Sequence, residues 1–283
     1  MPQLAYILSL PRSGSTVLSA MLDRKHGVIS PPESSFPQVL GEMTSEERGD
    51  PRRMAALYLG ATFPPTPLSL EDAQACMTGS DAEILVSLGL SCARKLGRDV
   101  SEIKAIVWKT PRTIGMHKVP IATNGKFIVL RRNPHNVFES QFRVGFGENN
   151  RNSLRFAIFR ESYEHAFSRL PRHKVIDTNY DDLPNSISTI LEVLGIPDQG
   201  EWKNHQSSLA MAAEACSWMS EVNDTFDNRD AEKRTKLAPK QVARLELALK
   251  LARPLRPFLG PVRRHFDIIS IGPIRARAAD ALR

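Results

Sequence analysis

The run Arg12-Ser13-Gly14-Ser15-Thr16 is built to hold an anion. One cation is followed by small residues that let backbone approach a ligand closely, and Gly14 can take a positive φ. Val17, Leu18, Met21 and Leu22 then repeat at helical spacing, so the unpaired N–H groups of a helix start face the same turn. The Walker A pattern G-x-x-x-x-G-K-S/T is absent: no lysine precedes Ser15 or Thr16, and Arg12 stands before the glycine. That argues against an ordinary ATP or GTP hydrolase. Further chemistry-bearing residues follow short apolar runs. Glu33 comes after Val28-Ile29-Ser30 and two prolines, Lys109 closes Ala105-Ile106-Val107-Trp108, and Arg131-Arg132 close Phe127-Ile128-Val129-Leu130. Charged groups at the carboxyl ends of strands face the ligand crevice of an α/β sheet. Each also has a plain structural reading: Glu33 as a helix N-terminal acid, Lys109 as a solvated lysine, the arginines as a surface pair.

The elements that must position these groups are strand–turn–helix units. Tyr6, Ile7, Leu8 and Leu10 form an apolar run broken by Pro11, the pattern of a parallel strand buried on both faces. Comparable strand runs are predicted to open the segments 105–111, 126–140 and 175–183, with a short strand at 28–30. The fold class predicted is α/β, three layers with a central, mainly parallel sheet flanked by helices. Residues 44–103 read as a mainly helical insertion, in which Met54, Leu57, Tyr58 and Ala61 form one apolar face. Leu154, Ala157, Ile158, Tyr163 and Phe167 are predicted to form a core stripe on a helix over 151–170. Val242 to Leu251 populate a last helix beginning near Pro239, and the basic tail 263–283 is compatible with docking and with a free end.

The 283 residues fit one elaborated domain, and a charge of +7 favours anionic ligands without arguing for nucleic acid. Cys76, Cys92 and Cys216 show no CxxC spacing, which suits reduced thiols in a cytoplasm and no metal site. Nothing reaches the roughly 18 to 20 apolar residues of a membrane span. A soluble cytoplasmic protein is the expectation.

PRSGST after an apolar strand resembles the 5′-phosphosulfate loop of the sulfotransferases that use 3′-phosphoadenosine 5′-phosphosulfate, in which Lys or Arg occupies the position of Arg12. The resemblance extends in order along residues 4–195 and implies a P-loop-type fold. Ala105 to Pro111 is similar to the catalytic-lysine strand, with Pro111 where cytosolic members carry a histidine base. Arg132 with Ser140, eight positions on, resembles the 3′-phosphate motif, although Asn133 and His135 replace the commoner Asp and Arg. Tyr180-Asp181-Asp182-Leu183 is similar to the family's Tyr-Glu-Asp-Leu segment, whose tyrosine lies on the nucleotide side; a buried tyrosine is the plain alternative. In the tyrosylprotein and carbohydrate branch a glutamate about twenty residues beyond the loop arginine serves as base, and Glu33 lies 21 positions beyond Arg12.

The resemblance therefore implies sulfuryl transfer to an acceptor hydroxyl, with Glu33 as general base. Arg12 and the amides of Ser13, Gly14, Ser15 and Thr16 hold the phosphosulfate, Lys109 meets the leaving oxygen, and Arg132, Ser140 and Tyr180 serve the nucleotide. Lys233 and Lys236 are candidates for a closing segment, and adenosine 3′,5′-bisphosphate is the product. No metal is implied. The acceptor is expected to be a small molecule, and oligomeric state is unreadable. Gly200-Glu201-Trp202-Lys203-Asn204-His205 is similar to a terminal signature of cytosolic members but follows Tyr180 by only 20 to 25 residues, without a preceding Arg-Lys-Gly, and is read as chance. A nucleotide or small-molecule kinase and a non-catalytic binder of nucleotides or polyanions are the rival readings.

Overall fold

The computed structural model describes residues 1–62, 66–110, 118–143, 152–202, 236–259 and 271–283. Pro111, Lys203 to His205, Cys216, Lys233 and Arg234 lie outside the described residues. Among those described, five strands form one parallel sheet: β1 Gln3–Ser9, β2 Val28–Ile29, β3 Ala105–Lys109, β4 Lys126–Arg131 and β5 Val175–Asn179, in the order β2-β3-β1-β4-β5. The helices are α1 Ser15–Asp23, α2 Phe36–Leu40, α3 Ser45–Arg48, α4 Pro51–Ala61, α5 Leu70–Gln74, α6 Asp81–Lys95, α7 Lys118–Ala122, α8 Pro134–Arg143, α9 Ser153–Ser168, α10 Leu183–Val193, α11 Pro239–Ala252 and α12 Ile271–Ala281.

The central strands read as continuous apolar runs because both sheet faces are covered. Leu4, Tyr6, Leu8, Ile106, Trp108, Phe127 and Val129 share one core with residues of α4, α6, α8 and α9. Their alternates, Ala5, Ile7, Val107, Ile128 and Leu130, share the other with α1 and α10. Ile7 pairs with Lys109 on one side and Ile128 on the other. The chain builds outward from β1 in both directions, so a crevice opens at its carboxyl end, the topological switch point where such sheets take ligands.

Among the described residues of 44–103 lie α3 through α6, with Met54, Leu57, Tyr58 and Ala61 all buried. One apolar pattern differs from expectation. On α9, Leu154 is 46% exposed and the buried set includes Phe156, Ala157, Phe159, Tyr163 and Phe167. This helix is packed on two sides: its aromatic rings join the sheet core while Ala157 meets Ala248 and Ala252 of α11. On α11, Leu245 is buried but Leu247 and Leu251 are each 57% exposed. Nor is α11 the last helix. The tail forms α12, which docks on α4 where Gly60 leaves room; a Cβ there would lie 2.7 Å from the Ile274 carbonyl oxygen.

Candidate active site

Glu33, Lys109, Arg132 and the Arg12–Thr16 loop converge because they lie at or just beyond the carboxyl ends of strands of one parallel sheet. After β1 the chain turns sharply: the Ser13 amide donates to the Leu10 carbonyl at 3.1 Å, and Arg12 takes φ 73, a left-handed conformation uncommon outside glycine. Gly14 follows at φ 93 and starts α1 without a side-chain cap or an acid in the first turn. The helix start thus presents amides and a positive dipole end to the crevice. Ser13 is buried, and its hydroxyl has no hydrogen-bond partner among the described residues. An uncapped helix start with an orphaned hydroxyl fits an oxyanion, such as one carried by a phosphate or phosphosulfate.

One branch of the site lies toward β2. Lys109, almost wholly buried, donates to Thr16 Oγ1 at 2.8 Å and ion-pairs with Glu33 Oε2 at 2.9 Å. Strand alternation aims it there, since 105, 107 and 109 face α1 while Trp108 faces the other layer. Glu33 is 19% exposed. The Ser34 amide donates to the Lys109 carbonyl at 3.2 Å, and the Ser34 hydroxyl accepts from the Phe36 amide at 3.1 Å, so α2 begins beyond Glu33.

The other branch lies toward β4 and β5. Arg12 Nε donates to Ser140 Oγ at 3.3 Å, and Arg132 Nη1 donates to the Arg12 carbonyl at 3.1 Å. Arg12 therefore bridges the strand-end arginine and the helix serine. The Arg132 guanidinium carbon stands 3.9 Å from the centroid of the Tyr180 ring. Arg131 faces away, ion-paired with Glu164 and Asp177, which removes it from the site. Asn133 Oδ1 accepts from the His135 amide at 3.0 Å at the start of α8, and His135 Nε2 lies 3.9 Å from Glu246.

Lys236 is exposed in the turn before α11 and is not brought into this bonded set. Gln141 was not legible in the sequence: it is buried, and its side-chain amide donates to the Pro11 carbonyl at 2.8 Å, fixing the loop from α8. Its place beside Ser140 was the only signal available. Trp202 lies at the opposite end of the sheet, its ring 4.4 Å from His26 and its Nε1 donating to the Val28 carbonyl at 3.3 Å. A groove of about 600 Å³ between α9 and α11, lined by Leu154, Arg244, Leu247 and Leu251, contains none of the predicted residues. Among the described residues no cluster of His, Cys, Asp or Glu could hold a metal ion, and no helix is long and apolar enough to cross a membrane.

A parallel sheet with an uncapped, cation-flanked loop at its switch point defines an α/β protein of the P-loop-like class. The chain belongs to the sulfotransferase family, whose sequence profile matches residues 5–200. No curated protein sequence matches it. In structure it is similar to the sulfotransferase domain from the curacin biosynthetic pathway, with 21% identity, a TM-score of 0.54, and coverage of 89% of this chain and 97% of that one. It is also similar to the sulfotransferase domain from the Synechococcus PCC 7002 olefin synthase, with 22% identity, a TM-score of 0.52, and coverage of 89% and 95%.

Proposed function

We propose that this sulfotransferase takes the sulfuryl group of 3′-phosphoadenosine 5′-phosphosulfate and passes it to the hydroxyl of a small-molecule acceptor, with Glu33 as general base. The observation that carries this reading is the bonded chain Glu33–Lys109–Thr16, at 2.9 and 2.8 Å, lying against the start of α1. It sets a carboxylate and an ammonium side by side at the place where an anion would be held.

The donor, when bound, supplies an electrophilic sulfuryl group on a phosphate leaving group. Arg12 and the amides from Ser13 to Thr16 hold that end by charge and by oriented N–H groups. Glu33 accepts the acceptor's hydroxyl proton on a carboxylate oxygen. Lys109 has three N–H donors, of which one orients Glu33 and one meets Thr16, leaving the third to donate to the departing oxygen. Arg132 and Ser140, joined through Arg12, read the 3′-phosphate and so separate this donor from ATP.

The test is calorimetric titration of adenosine 3′,5′-bisphosphate, ATP and AMP without magnesium into the wild type and Arg132→Ala. The bisphosphate is expected to bind tightest, with the preference lost in the variant. Preference for ATP, or no binding of any of the three, overturns the donor assignment.

A further inference from the structure

Tyr180 follows β5 directly and is 5% exposed. Two contacts of its ring bear on the site. At its edge is Gly14, where an added Cβ would lie 2.3 Å from Tyr180 Cδ2 and 2.4 Å from Cε2. Glycine is thus required there by the ring as well as by its φ of 93. Over its face lies Arg132, at 3.9 Å from the centroid, well within the roughly 6 Å reach of a cation–π contact. The same guanidinium is tethered through Nη1 to the Arg12 carbonyl. A guanidinium held over a buried ring and tethered through Nη1 is restrained in orientation by both contacts.

The neighbouring arginine shows the alternative way of holding such a group. Arg131 is ion-paired with Glu164 and Asp177, carboxylates that offset its charge. In the Tyr180 face the Arg132 guanidinium has a contact of a different kind, one that orients it by its plane.

We infer that Tyr180 is a positioning residue for the donor's 3′-phosphate: its ring, rather than its hydroxyl, sets the plane of Arg132 and joins it to the Gly14 turn. The preference for adenosine 3′,5′-bisphosphate over AMP then depends on an aromatic side chain at 180. This inference rests on the donor reading above, and its test keeps the two apart.

Both nucleotides are titrated into the wild type, Arg132→Ala, Tyr180→Phe and Tyr180→Met, the last keeping bulk without an aromatic face. The readout is the ratio of the two dissociation constants, which a general loss of folded protein does not move. Tyr180→Phe is expected to keep the wild-type ratio within about twofold, and Tyr180→Met to lower it by about tenfold, toward Arg132→Ala, with AMP affinity little changed. A wild-type ratio in Tyr180→Met overturns the inference. So does a loss in Tyr180→Phe as large as in Arg132→Ala, since the hydroxyl would then carry the effect; this second arm decides even where Tyr180→Met does not fold. A wild type that shows no preference for the bisphosphate sinks the donor reading, and this inference with it.

Discussion

Glu33 and Lys109 are far apart in sequence yet 2.9 Å apart in space, because β2 and β3 are neighbours in a parallel sheet. Each was legible as a charged group after a strand-like run; their pairing was not, since it depends on strand order. Glu33→Gln keeps the size of the side chain and an oxygen for Lys109 but removes the proton acceptor. If Glu33 is the base, the variant should lose about 10²- to 10⁴-fold in kcat while adenosine 3′,5′-bisphosphate binds within about twofold of wild type. Turnover on a hydroxyl that the wild type sulfates, taken from a mixed acceptor panel, measures the first; calorimetry measures the second. Undiminished kcat would remove Glu33 from the chemistry. Strand alternation also separates the paired arginines, since Arg132 faces the loop while Arg131 turns to α9 and β5.

At the scale of elements, the strands were the most legible part, because a strand covered on both faces needs an unbroken apolar run. β2 is the exception at two residues, and Glu33 hangs from its end. What holds it is a buried polar clamp. The Asp23 carboxylate accepts the Ser30 amide at 2.7 Å and is paired bidentately by Arg98, at 2.8 and 3.0 Å. Arg98 also donates to the Val28 carbonyl at 3.0 Å, and the Ser30 hydroxyl donates to the Val107 carbonyl at 2.8 Å. Pro31 and Pro32, with fixed φ, then carry the chain stiffly to Glu33. Periodicity cannot show such a clamp, since its members sit on α1, after α6 and after β2. Arg98→Ala would leave the Asp23 carboxylate buried without its guanidinium, a change that typically costs about 3–5 kcal/mol. Urea unfolding should show a loss of that order, and a change of less than about 1 kcal/mol would mean that water or another cation replaces Arg98. The helices were legible as elements but less so as faces: α9, packed on two sides, does not have the single stripe that its periodicity predicts, and so Leu154 is exposed.

Across the whole molecule, the chain closes by folding its end back on the insertion. α12 packs on α4 where Gly60 lets the backbone at Ile274 and Ala278 approach closely, an approach that hydropathy does not show. This is why the basic tail could not be placed from sequence. Charge reinforces the contact, with Arg275 donating to Glu47 through Nε at 2.7 Å and Nη2 at 2.9 Å. Glu47 also belongs to the Thr44 capping box of α3. The Arg275 hydrogen bond, opposed by burial and helped by the Thr44 amide, holds the Glu47 carboxyl down at about 2. A carboxyl whose folded value lies below its unfolded one stabilises the fold above the unfolded value, about 4.5, and that contribution fades as pH falls toward 2. Because Arg275 is partly exposed, salt screens part of the effect. Glu47→Gln should therefore melt about 2–4 °C lower than wild type near pH 7 at low salt, with the gap closing between about pH 5 and pH 2. Thermal unfolding across that range measures it. A gap independent of pH would assign the docking of α12 to its packing on α4 alone, and a closing gap would make the Glu47–Arg275 pair a working part of how α12 is held.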